Sequence, residues 1–145
     1  MAETLIHFHE RALSFQSGAQ LLNDSGLLGE IGHHRMRIGA GLLAIHGAIA
    51  YGDAAMVVLT GKHIHPQQHD RAAEELRIAC VRANRDATGT RQFAQLLAKK
   101  NAISYDNRRV DADDVKSIIV QWERFCAWIA RTFPELQSPE PAAEG

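Results

Sequence analysis

Residues 38–59 read IGAGLLAIHGAIAYGDAAMVVL, and this stretch decides the fold class. It contains no Lys, Arg or Glu and is long enough to span a bilayer. However, it places His46, Tyr51 and Asp53 near its middle, where a charge and an imidazole are costly in lipid. As a helix, it carries Ile38, Leu42, Leu43, Ile45, Ile49, Met56, Val57 and Val58 on nearly every face. A helix apolar all round belongs in the middle of a bundle or at a subunit interface, so we read a buried central helix and no membrane span. Glycines 39, 41, 47 and 52 let neighbouring backbones approach closely. Each costs up to about 1 kcal/mol against alanine, which packing must offset, and a break or kink is expected near Gly39–Gly41.

Working outward, this helix begins near Leu28 to Glu30 and ends at Leu59, stopped by Thr60-Gly61. Upstream, Leu5, Phe8, Ala12, Phe15, Ala19 and Leu22 recur at three- and four-residue steps, predicting a first helix from Thr4 to Asn23. Downstream, residues 61–66 connect to a third helix from Gln67 to Asp86, with Pro66 at its first turn and Ala72, Leu76, Ala79, Cys80 and Ala83 facing inward. Thr88-Gly89-Thr90 breaks the chain before a short fourth helix from Arg91 to Lys99. The last helix follows carboxylates at 111–114 that suit a helix N-terminus. Val115, Ile118, Ile119, Trp122, Phe125, Cys126, Ile129 and Phe133 form one apolar face, and Pro134 ends the helix. The expectation is an all-α, up-and-down bundle of four to five helices forming one domain over 1–134, with a disordered acidic tail over 135–145.

Composition narrows the function classes. A net charge of −1 gives no whole-protein attraction to nucleic acid or anionic membranes, so any electrostatic partner must find a local patch. Residues 82–109 supply one: Arg82, Arg85, Arg91, Lys99, Lys100, Arg108 and Arg109 face only Asp86 and Asp106, a local charge of +5. These seven residues are the candidate binding set for a phosphate backbone or an acidic partner. Only Phe93 and Tyr105 are at hand to stack on bases. Cys80 and Cys126 lack CxxC or CxxH neighbours and read as small buried apolar residues of a reducing, cytoplasmic compartment. Residues 1–4 lack the basic start of a signal peptide.

Three further groups of residues are candidates for chemistry. His63, His65 and His69, with Asp70, are candidate ligands for a borderline metal such as zinc, against a plain polar loop in which Pro66 restricts their convergence. His7/His9 and His33-His34 split between helix faces and read as solvated. His46 lies in the most apolar segment, either as a core histidine or in a pocket with Tyr51 and Asp53. The sequence has no serine or cysteine nucleophile motif, no phosphate-cradling glycine loop and no cofactor signature.

Two segments carry a family likeness: RIGAGLLAIHGAIAYGDAAMVVLTG (37–61) and LLAKKNAISYDNRRVDADDVKSIIVQWERFCAWI (96–129). With the His69 helix between them, the chain over about 30–130 resembles the HEPN-like helical bundles of bacteria and archaea. The resemblance implies a four- or five-helix up-and-down bundle, usually a homodimer that pairs on its second helix, and we expect the last helix to join that interface. It also implies a metal-independent ribonuclease in those members that carry an arginine and a histidine separated by four to six residues. Here Arg108 and Arg109 are followed by no histidine, because the last one in the chain is His69. Members without the pair are implied to be binding partners, often beside a nucleotidyltransferase or in defence and toxin–antitoxin systems. The leading expectation is therefore a non-catalytic homodimer that binds a macromolecular partner, RNA or protein, without a cofactor. The alternative is a divergent endoribonuclease in which Arg108 or Arg109 works with a distant histidine such as His46 or His69. A metal- or small-molecule-binding bundle is the third reading.

Overall fold

The computed structural model describes residues 34–62, 71–105 and 112–136, with side chains over 39–62, 71–100 and 113–136. Four helices account for nearly all of them, and no strand occurs among the described residues. The first described helix, α1, spans His34–Thr60. It passes through Gly39 and Gly41 as continuous α-helix, so the expected break there is absent. It stops where the sequence places the stop. Gly61 has φ 79°, in the left-handed region that glycine enters without a Cβ penalty, and its N–H donates to the Val57 carbonyl at 2.9 Å. The Thr60 hydroxyl donates to the Met56 carbonyl at 2.8 Å.

Helix α2, Ala72–Arg82, ends four residues before the expected Asp86. The reason is a left-handed Asn84, φ 58°. The Arg85 N–H reaches the Cys80 carbonyl at 2.8 Å and the Asn84 N–H reaches Val81 at 3.1 Å, the two hydrogen bonds of a Schellman C-cap. Asn in place of the usual Gly hid this stop from the sequence reading. Ala72, Leu76, Ala79 and Cys80 are buried as expected, whereas Ala83 sits in the cap and is exposed. Helix α3 spans Thr90–Tyr105, six residues past the expected end. Residues 100–105 contain neither Gly nor Pro, so nothing interrupts the helix.

Helix α4, Ala112–Thr132, buries Val115, Ile118, Ile119, Trp122, Phe125 and Ile129, with Phe133 just beyond it, and half-buries Cys126. Trp128, outside the expected stripe, is also buried. It lies three residues after Phe125, a spacing that puts both on one side of the helix. Helices α3 and α4 run antiparallel: Gly89 meets Trp128, Phe93 stacks on Phe125 with centroids 5.2 Å apart, and Lys99 shares a cleft with Ser117. Helix α1 packs against all three other described helices, as α3 also does. Residues 39–60 of α1 are long and apolar enough to cross a membrane, yet most of them are buried by the surrounding fold, the pattern of a core helix.

Two glycines are fixed by this packing. A Cβ on Gly52 would stand 2.7 Å from Phe93 Cζ, so this glycine lets α3 approach the α1 backbone. A Cβ on Gly89 would stand 2.0 Å from Trp128 Cδ2, inside the ring's van der Waals surface. After Pro134 the chain makes one 3₁₀ turn, Pro134–Leu136, that buries Leu136. Leu136 thus belongs to the packed core. The expected helix over 4–23 and the tail from Gln137 lie outside the described residues.

Candidate functional site on the outward face of α3

Helix α3 buries Phe93 and Leu96 against the core and turns Arg91, Ala94, Gln95, Ala98 and Lys99 outward, all exposed. Their spacing, three and four residues apart, sets them on one face. The helix contains no Asp or Glu, so this face carries only positive charge, between small alanines and an amide. Among the described residues neither Arg91 nor Lys99 enters an ion pair.

A groove lies on each side of this ridge. Toward α2, a groove of about 650 Å³ is lined by Glu74, Arg77, Thr88, Arg91 and Gln92 with three alanines and Thr90. Within it Arg77 Nη2 is 2.6 Å from Glu74 Oε1, and this ion pair holds the Glu74 carboxyl below the usual glutamate range. Toward α4, a cleft of about 280 Å³ is lined by Gln95, Lys99, Ser117 and Gln121 over Leu96 and Ile118. Gln121 Oε1 is buried there without a hydrogen-bond partner among the described atoms.

The seven-residue basic set divides in this structure. Arg82 is exposed at the end of α2 and lines a separate groove of about 270 Å³ with Met56, Leu59 and Glu75. Lys100 is half-buried on α3. Arg108 and Arg109 lie outside the described residues. Arg85 is engaged within the fold. Its guanidinium makes two hydrogen bonds to Glu135, 3.0 Å from Oε1 and 2.6 Å from Oε2, and donates to the Thr132 carbonyl at 3.0 Å. It also lies 5.0 Å above the centre of the Phe133 ring. One side chain therefore caps the C-terminus of α4 and ties the last turn to the α2–α3 connection. The Arg85 hydrogen bonds, ahead of proximity of charge, hold the Glu135 carboxyl below its ordinary range.

The same connection is pinned from two other sides. Trp128 Nε1 donates to the Asp86 carbonyl at 3.0 Å. The Asp86 carboxylate accepts from the Thr88 N–H at 3.0 Å and its hydroxyl at 2.9 Å, which lowers its pKa. Spacing alone carries no signal that Arg85 and Trp128 serve this turn, because their partners are more than forty residues away.

The remaining candidates are placed as follows. His46 is half-buried and engaged in an interaction, while Tyr51 and Asp53 are buried. Tyr51 turns its ring onto Trp122, centroids 6.0 Å apart, and burial, helped by nearby Cys126, pushes its hydroxyl pKa up to about 12. Tyr51 is thus part of the α1–α4 core. Phe93, one of the two rings offered for base stacking, is itself buried in the core; the Tyr105 side chain lies outside the described ones. His63, His65 and His69 lie outside the described residues, and among those described no three His, Cys, Asp or Glu gather as a metal site. Both cysteines are free thiols; burial, the largest cause in each case, raises Cys80 to about 11 and Cys126 to about 12.

Compared with known proteins, the chain matches no family model, and no curated protein or solved structure is significantly similar to it.

Proposed function

We propose that this chain is a non-catalytic, HEPN-like helical bundle that works as a homodimer and binds a polyanionic macromolecule, RNA in the first instance, across the outward face of α3. The observation that carries the reading is the acid-free α3 face, on which Arg91 and Lys99 stand exposed and without ion pairs. They are eight residues apart, so their Cα atoms are separated by about 12 Å along the helix axis at 1.5 Å per residue. Two or three consecutive phosphates of an extended strand cover that distance. Alanines 94 and 98 leave the space between them open. Catalysis is left out of the proposal because the chain has no histidine after His69 to complete the family's Arg–His pair beside Arg108 or Arg109. Dimerisation is proposed from the family resemblance and from α1, whose Leu42, Leu43, Val58 and Leu59 remain only half-buried.

Fluorescence anisotropy with a single-stranded RNA tests the binding surface. The double variant R91E/K99E is expected to weaken binding and to reduce the salt dependence of log K by about 0.7 for each lost phosphate contact. Unchanged affinity and slope would remove α3 as the surface. Sedimentation at micromolar concentration checks the dimer, and a monomer there would refute it.

A further inference from the structure

We infer that two copies of this chain pair along the groove between α1 and α2, with α2 antiparallel to its counterpart, so that Glu75 of each copy meets Arg82 of the other. The inference rests on the homodimer of the proposed function and adds the surface that forms it. Apolar side chains of Met56, Leu59, Ile78 and Ala79 line this groove of about 270 Å³, and Glu75 and Arg82 add one exposed charge of each sign. Val81, three residues after Ile78 and so beside it on the helix surface, is 59% exposed, a large apolar side chain left in water at the edge of the same patch.

The charges on α2 select the occupant. Glu74 and Arg77 already pair with each other at 2.6 Å, whereas Glu75 and Arg82 enter no ion pair among the described residues. Seven residues separate them, about 10 Å along the axis, beyond the three- and four-residue steps at which side chains of one helix meet. A two-fold axis requires that where one residue contacts a second, the second contacts the first in return. An axis passing midway between Ile78 and Ala79 meets that condition, because Glu75 and Arg82 lie equally far from it on either side. Antiparallel pairing then forms two Glu75–Arg82 contacts, one at each end, where parallel pairing would set like charge on like. The same register sets the large Ile78 against the small Ala79 twice, which suits close approach of two helices. Glu74 and Arg77 line the other flank of α2, toward α3, so this pairing leaves the α3 face uncovered.

Sedimentation velocity at micromolar concentration and low salt tests the pairing on the native full chain and on E75R, R82E and E75R/R82E, with circular dichroism checking that each variant is folded. The native chain is expected to sediment as a dimer. Each single reversal sets like charges at both ends of the axis and should raise the dimer Kd by about 10- to 100-fold, the range for two exposed pairs turned from attraction to repulsion. The double variant exchanges the two signs and restores both pairs, so its Kd should return to within about threefold of the native value. A dimer indifferent to either single reversal would overturn the inference, as would a double variant that does not recover, and both would leave the homodimer standing on another face. A native chain that sediments as a monomer would overturn the inference and the homodimer together.

Discussion

Arg85 separates a binding residue from a structural one more sharply than any other position, because its sequence context suggests the first and its contacts the second. Replacing it with alanine removes three interactions. The ion pair joins side chains that are 28% and 40% exposed, so solvent screening limits its contribution to at most about 1 kcal/mol. The hydrogen bond to the Thr132 carbonyl, from a charged donor to a helix end, contributes about 1 kcal/mol. The guanidinium over Phe133 adds roughly 0.5 kcal/mol at a partly exposed ring face. Arg85→Ala is therefore expected to destabilise the fold by about 2 kcal/mol, a fall in Tm of roughly 6–8 °C for a domain of this size. Urea unfolding followed by circular dichroism measures it, and a double-mutant cycle with Glu135→Gln should return a coupling of about 0.5–1 kcal/mol. RNA affinity should not change beyond the loss of folded protein. A stability change below about 0.5 kcal/mol together with weakened RNA binding would refute the reasoning and return Arg85 to the binding surface.

Three further predictions follow from the same packing. Gly89→Ala places a methyl group within the Trp128 ring and should cost about 3 kcal/mol, because overpacking in a filled core forces side chains and backbone to shift; a near-neutral change in urea unfolding would show that the turn can move aside. The stabilising contribution of the Arg85–Glu135 pair should be present above the ordinary glutamate pKa and lost as pH falls through the lowered value in the fold, since unfolding releases the carboxyl to take up a proton; an equal Arg85–Glu135 coupling on both sides of that window would contradict the pairing. Cys80, buried with its thiol raised to about 11, should react with a thiol reagent at pH 8 only as fast as the chain unfolds, with Cys126 slow for the same reason; prompt labelling of Cys80 in the native protein would contradict its burial.

Much of the bundle was legible along the chain because helical periodicity is a local property. The α4 stripe from Val115 to Ile129 and the stop of α1 at Gly61 are written in residue types whose spacing alone assigns them. Helix ends that depend on less usual residues were not. Asn84 ends α2 through a left-handed conformation that Gly would have announced, and α3 continues through a polar run with nothing to break it. Within the candidate site, Arg91 and Lys99 were already in the basic set, but nothing in their spacing set them apart from Arg82 and Arg85.

The amino-acid sequence by itself determined the all-helical class, the burial of the α1 stretch and the concentration of positive charge after residue 82. Each follows from side-chain periodicity, apolar content or a count of charges, and none requires knowing what touches what. Only the tertiary structure decided the rest. It divided that charge between a solvated face on α3 and the Arg85 clasp, and assigned Gly52 and Gly89 to the rings they abut. These outcomes depend on contacts between residues about forty or more positions apart, such as Arg85 with Glu135 and Gly89 with Trp128. A guanidinium stays in water or takes a structural partner according to whether folding brings a carboxylate within hydrogen-bond reach, and chain topology settles that.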